Sequence, residues 1–118
     1  MSASRSILIV EDEPLIAMML EDFLETLGYS VHGSCESVEQ AIDAAEKGGF
    51  DLAILDVNLG GVTAWPVARK LREKGIPFVI ATGGHVEPPP AEFANVPVIQ
   101  KPYTVDRVTP ALDAAMSN

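Results

Sequence analysis

Five side chains in this sequence stand directly after short apolar runs and are of types suited to metal and phosphate chemistry. Glu11 and Asp12 follow Ile7-Leu8-Ile9-Val10, and Asp56 follows Leu52-Ala53-Ile54-Leu55. Thr82 follows Phe78-Val79-Ile80-Ala81, and Lys101 follows the stretch Val96 to Gln100. Two carboxylates brought to about 4 Å repel by about 4 kcal/mol at an effective dielectric of about 20. A divalent cation offsets that repulsion, and a small hard one takes oxygen ligands while keeping several waters. Mg²⁺ held by Asp12, Asp56 and a backbone carbonyl leaves room for phosphate oxygens. Lys101 adds a positive charge and Thr82 a hydroxyl. An aspartate nucleophile needs such a set for phosphoryl transfer: charge neutralisation at the equatorial oxygens and in-line access.

These residues work together only if the apolar runs end on one surface. Each run is too continuous for a half-exposed strand and reads as a strand buried on both faces, as in a parallel sheet. Helical patterns separate them. Pro14 opens the first helix, with Asp12 or Glu13 as its cap, and Gly28 stops it. A weaker strand follows over residues 29–35. Ser37 and Gln40 have capping-box spacing for a second helix that Gly48 ends. Asn58 to Gly61 reads as a loop, and Thr63 as the cap of a third helix ending at Gly75. Gly83 to Pro90 carries three consecutive prolines, so no regular helix begins before Pro90, and at most one or two turns fit at 91–95. Thr104 caps a last helix, in which Pro110 predicts a kink or a delayed start. The order is (βα)₅. Right-handed crossovers make it a doubly wound α/β fold with five parallel strands, and ligands in such sheets sit beyond the carboxyl ends of the strands.

Length and composition agree with a single domain over residues 1–118. A chain of 118 residues buries about two-thirds of its unfolded surface. The net charge of −9 argues against nucleic acid, whose phosphates require clustered Lys and Arg. That charge is uneven: the first 59 residues hold twelve Asp and Glu against only Arg5 and Lys47. Cys35 is the only cysteine, so no internal disulfide forms. The apolar runs fall far short of a membrane span, and the N-terminus is too short and polar for a signal peptide, so a cytoplasmic location is expected.

Ile7 to Pro14, Leu55-Asp56, Ala81-Thr82-Gly83 and Lys101-Pro102, in this order and spacing, resemble the motifs of response-regulator receiver domains. The resemblance covers nearly the whole chain and implies a flavodoxin-like receiver fold. It implies that Asp56 takes a phosphoryl group from a histidine kinase, directly or through a phosphotransfer protein, and becomes an aspartyl phosphate. Glu11 and Asp12 match the acidic pair at the Mg²⁺ site, with Asp12 the direct ligand and the main-chain carbonyl of Asn58 the third protein ligand. Thr82 matches the switch hydroxyl and Lys101 its cationic partner. Asn58, Gly84 and His85 fall where the attacking water is tuned. Such a domain catalyses only its own phosphorylation and dephosphorylation, and signals to a downstream protein through contacts.

One departure stands out. Val98 occupies the position of the family's strand-five switch aromatic. The tract Pro77 to Gly83 and Leu59-Gly60-Gly61 are similar to a receiver subgroup with a Phe-x-x-Ala-Thr-Gly stretch, no strand-five aromatic and an irregular fourth helix. Output through ordering of residues 83–95 is the corresponding expectation, and a phosphorylation-independent binding module is the alternative function. The resemblance also suggests a cis Lys101-Pro102 bond. Tyr103 is expected to pack inside, Trp65 to pack or to anchor a partner, and Leu15 and Met18 to face a kinase. Arg69, Lys70, Arg72 and Lys74 read as a solvated helix face. His32 and Cys35 lack the second ligand pair that zinc requires. No phosphatase-type Asp-x-Asp-x-Thr and no glycine-rich nucleotide loop occurs.

Overall fold

The apolar runs become strands of one parallel sheet in the computed structural model, which describes residues 5–83 and 89–116. In chain order the elements are β1 (Ser6–Val10), α1 (Pro14–Thr26), β2 (Ser30–Cys35), α2 (Val38–Lys47), β3 (Leu52–Asp56), β4 (Asn58–Leu59), β5 (Val62–Thr63), α3 (Trp65–Glu73), β6 (Phe78–Thr82), a 3₁₀ turn (Ala91–Phe93), β7 (Val98–Gln100) and α4 (Val105–Met116). The sheet order is β2-β1-β3-β6-β7, and every pairing in it is parallel. The order reverses beside β1, so β1 and β3 flank the switch point where such sheets hold ligands.

Side chains alternate between two cores because successive residues of a strand face opposite sides. Leu8, Val10, Ala53, Leu55 and Ile80 meet α2 and α3 on one face. Ile7, Ile9, Leu52, Ile54 and Val79 meet α1 and α4 on the other. Leu20 and Leu24 of α1 are fully buried there. Burying each contributes about 1.5–3 kcal/mol. The central strands are covered on both sides, which is why they read as unbroken apolar runs.

The structure corrects several local expectations. Residues 58–63 are not a plain loop but a small antiparallel hairpin, β4 against β5. Gly60 and Gly61 form its turn with φ of +60° and +87°, a left-handed pair that suits the twist of a two-residue hairpin. Thr63 lies in β5, so Ala64 stands at the start of α3 and Thr63 caps nothing. At α1 Glu13 stands at the expected cap position but its side chain caps no amide, and Asp12 bonds elsewhere. The Ser37 hydroxyl does cap α2, accepting from Gln40 N at 3.2 Å, while the Gln40 carboxamide accepts from Glu36 N rather than from Ser37 N. The last sheet strand is shorter than expected, beginning at Val98. The last helix starts at Val105 without delay and includes Pro110, with the Thr104 hydroxyl accepting from Arg107 N at 3.2 Å.

The proline-rich connection behaves as its composition demands: among the described residues after Thr82 only the 3₁₀ turn precedes β7. Phe93 in that turn is 1% exposed and stacks on Trp65 with ring centroids 5.5 Å apart, its edge meeting Phe78 at 5.9 Å. The basic residues of α3 are not merely solvated. Arg69 pairs with Glu92 at 2.7 Å, Lys70 and Lys74 both pair with Glu46 of α2, and Arg72 lies over the Phe93 ring. Gly84 and His85 lie outside the described residues, as does most of the Gly83 to Pro90 tract.

Candidate functional site

The carboxyl ends of β1, β3, β6 and β7 border one cleft of about 300 Å³, lined by Asp12, Glu13, Asp56, Asn58, Gly61, Gly83 and Lys101; Thr82 and Glu11 stand beside it and are not part of that lining. Parallel register does this directly. Val10 pairs with Leu55, Asp56 with Ala81, and Thr82 with Gln100, so the residues that follow each apolar run emerge side by side.

Lys101 bridges two carboxylates. Its ammonium donates to Glu11 Oε1 and to Asp56 Oδ2, each at 2.6 Å. Glu11 is 1% exposed and Asp56 5%, so both carboxylates sit in poorly solvated surroundings. Burial is the main reason the Glu11 carboxyl is pushed up to about 7; Lys101 and the Glu13 amide oppose that, and Asp56 adds to it. For Lys101, burial disfavours the charged form, but the hydrogen bonds it donates to Asp56 and Glu11 outweigh this and hold the ammonium above its ordinary value. The remaining oxygens are also engaged: Glu11 Oε2 accepts from Glu13 N at 3.1 Å, and Asp56 Oδ1 from Asn58 N at 3.2 Å. Asp12, less buried, accepts on Oδ2 from Gly60 N at 2.9 Å.

Carboxylate oxygens of Glu11, Asp12 and Asp56 all lie within 4.8 Å of one another. Three carboxylates against one ammonium leave the ionised site two negative charges in excess, which suits a hard dication with oxygen ligands. The expected metal residues are therefore brought together, and Asn58 stands beside them with its amide on Asp56. Thr82 is half-buried at the end of β6, and its carbonyl accepts from Lys101 N at 2.7 Å, fixing the lysine backbone. The Lys101-Pro102 bond is cis. Tyr103 packs inside, 2% exposed, with the Lys101 ammonium 5.7 Å from its ring centroid. Val98 is about half exposed and buries no ring against Thr82.

Two contributors escape sequence reasoning. Arg107 of α4 donates to the carbonyls of Gln100 and Pro102, at 3.3 and 3.2 Å, bracketing Lys101. Gly60 reaches Asp12 across 48 residues of sequence. The Gly60 bond has no local spacing to betray it, and the two Arg107 bonds, though they span only five and seven residues, depend on how the chain turns into α4. A second cleft, of about 400 Å³, lies at the opposite strand ends between Arg72, Pro77, Phe78 and Val96 and gathers no carboxylates.

Comparison with known proteins agrees with this geometry. The family model for the response regulator receiver domain matches residues 7–113. The transcriptional regulatory protein YkoG of Bacillus subtilis is 34% identical over 115 residues, covering 93% of this chain and 50% of that protein. PdtaR of Mycobacterium tuberculosis is 28% identical over 117 residues, 96% of this chain and 57% of PdtaR. The chain thus spans about half the length of these curated relatives. The solution structure of SdrG from Sphingomonas melonis Fr1 is 54% identical, with a TM-score of 0.86 over 98% of this chain and 99% of SdrG. The BeF3-activated conformation of SdrG matches with a TM-score of 0.80 at 53% identity, over 97% of this chain and 98% of that one. With the family model spanning almost all of the sheet and its helices, the chain belongs to the response-regulator receiver domains.

Proposed function

We propose that residues 1–118 form one receiver domain that acts as the phosphoacceptor of a two-component phosphorelay, with Asp56 carrying the phosphoryl group. The observation that carries this reading is the surroundings of Asp56: a strand-end carboxylate 5% exposed, 2.6 Å from Lys101 and clustered with Glu11 and Asp12. Asp12, Asp56 and the main-chain carbonyl of Asn58 would hold Mg²⁺, with Glu11 beside them. Mg²⁺, when bound, supplies positive charge to the transferring oxygens.

The chain's own residues do the rest. An Asp56 oxygen attacks phosphorus in line, the donor's nitrogen–phosphorus bond breaks, and its electron pair returns to the imidazole. Lys101, already bonded to Asp56 Oδ2, pairs with a phosphoryl oxygen as the carboxylate charge moves outward. The Thr82 hydroxyl, at the end of the adjacent strand, becomes a donor to the same group. The reverse capacity, hydrolysis of its own aspartyl phosphate, completes the cycle, and no outside metabolite is turned over. The donor is a histidine kinase or a phosphotransfer protein. The exposed Leu15 and Met18 on α1, near the Asp12 end, are the surface we assign to it. Output passes to a downstream protein through contacts that depend on the state of residues 83–95.

The test is intact mass after incubation with acetyl phosphate and Mg²⁺. Wild type is expected to gain one phosphoryl adduct that Asp56→Asn lacks. Equal adducts on both proteins refute the assignment of Asp56, and no adduct on wild type refutes the phosphoacceptor reading.

A further inference from the structure

The β4–β5 hairpin begins two residues after Asp56, and its hydrogen bonds run from one metal-site residue to the next. Asn58 N donates to Asp56 Oδ1 at 3.2 Å. Gly61 N donates to Asn58 Oδ1 at 3.0 Å, and Gly60 N donates to Asp12 Oδ2 at 2.9 Å. The three residues assigned to the cation are therefore linked through a single two-residue turn. The hairpin is itself anchored. Leu59 is 4% exposed in the core under α2 and α3, and Ala64 N closes the base onto Val57 O at 2.8 Å.

Asp12 has a ready alternative it does not use. It stands one residue before Glu13, the N-cap of α1, close enough to the first turn for a carboxylate to reach its amides, yet that helix start has no side-chain cap. Its carboxylate is turned by the hairpin instead. One oxygen faced onto an amide leaves the other directed for a cation, the same logic by which hydrogen-bonded carboxylates are oriented as metal ligands. Both turn glycines have positive φ, where a β-branched residue is an outlier, while Asn at the first position and Gly at the second favour the same turn.

We propose that the Gly60-Gly61 turn is a positioning element of the metal site: the Gly60 amide orients Asp12, so the geometry of the hairpin sets Mg²⁺ affinity and Mg²⁺ in turn stiffens the hairpin. This rests on the reading of Asp12, Asp56 and Asn58 as the cation's ligands. By linkage, the factor by which the ordered hairpin raises Mg²⁺ affinity equals the factor by which Mg²⁺ favours the ordered hairpin.

The test uses the full chain and Mg²⁺ alone, with backbone amide NMR as readout. Mg²⁺ titration of wild type, Gly60→Asn and Gly60→Val gives a Kd for each. Gly60→Asn, which keeps both the amide and the turn, is expected to stay within about twofold of wild type, and Gly60→Val to bind about tenfold more weakly, in the range seen when outer-shell partners of metal ligands are lost. A second measurement needs no metal and no altered turn. In metal-free Asp12→Ala, Gly60 amide exchange is expected to speed up at least about tenfold, while Gly61, bonded to Asn58, keeps its wild-type rate. A folded Gly60→Val with wild-type Mg²⁺ affinity overturns the inference, as does unchanged Gly60 exchange in Asp12→Ala. Those results leave the phosphoacceptor reading standing if wild type binds Mg²⁺ saturably. A wild type without saturable Mg²⁺ binding overturns both.

Discussion

Replacing Lys101 with Met isolates the electrostatics of the site. The side chains are of similar length, but the ammonium that sits 2.6 Å from both Glu11 and Asp56 disappears. Carboxylate oxygens of those two residues lie within 4.8 Å of one another, so their unscreened repulsion is at least about 3.5 kcal/mol at an effective dielectric of about 20. Removing one member of a buried ion pair generally costs about 3–5 kcal/mol, consistent with that figure. With an unfolding entropy of about 2.1 cal/mol/K per residue, a loss of about 3 kcal/mol lowers Tm by about 12 °C for a chain of this size. The assay is thermal unfolding by circular dichroism in EDTA at about pH 9, well above the value of about 7 to which burial pushes the Glu11 carboxyl while Lys101 is present, because losing Lys101 raises that carboxyl further. Adding Mg²⁺ is expected to narrow the gap, because the cation replaces the missing positive charge. Adding Glu11→Gln to Lys101→Met is expected to recover more than half of the loss, because only one buried carboxylate then remains. A metal-free Lys101→Met protein melting within about 3 °C of wild type would refute the idea that Lys101 holds the two carboxylates together.

Three other expectations follow from separate parts of the structure. Phe93→Ala removes the ring stacked on Trp65 and edge-on to Phe78, and is expected to destabilise by about 3–5 kcal/mol and to red-shift the emission of the sole tryptophan; unchanged emission would show that the stack does not persist in solution. Cys35 is buried, and burial, with help from Asp43, raises its thiol above the ordinary value, so the thiolate is scarcer at neutral pH than in an open cysteine. Alkylation is therefore expected to track global unfolding in denaturant, and fast labelling of the native protein would contradict this. Beryllofluoride with Mg²⁺ is expected to shift the amides of Glu92, Phe93 and Val96; unmoved amides there would remove the 83–95 segment from the output.

Most of the architecture was readable because burial on both faces leaves an unmistakable signature. Ile7 to Val10, Leu52 to Leu55 and Phe78 to Ala81 are continuous apolar runs because no position in them meets water, and all three became central strands. The polar residue ending each run was visible as a break in that continuity, so Glu11, Asp12, Asp56, Thr82 and Lys101 could be gathered from sequence. What escaped depended on pairing between distant or very short segments. The hairpin at 58–63 has only two residues per strand, too few for a period, and its glycine pair resembles any loop. Arg107 holds the carbonyls beside Lys101 from the far side of a turn, a relation set by where α4 begins. The basic residues of α3 looked solvated because Glu46 and Glu92 come to them from other elements. Of the two outcomes Pro110 suggested, a kink or a delayed start, the delayed start is not seen: Thr104, the cap expected from sequence, begins α4 ahead of the proline.

The uneven charge of the chain acquires a specific meaning once the site is built. Half of the twelve acids of the first half sit on α1 and α2, outside the site, but Glu11 and Asp56 are buried and share Lys101. With every group ionised, the site carries two excess negative charges, and a dication brings it to neutrality. Conversion of Asp56 from a carboxylate to an acyl phosphate of charge about −2 adds one further negative charge. The phosphorylated site would then stand at about −1 with the cation and about −3 without it, in surroundings where charge is costly. Lys101 cannot make up that difference, because its single charge is already counted in both sums, whichever partner it faces. The proposed reaction is therefore expected to depend on a divalent cation: with Glu11 buried beside Asp56, the single charge of Lys101 does not balance the site, and a dication would.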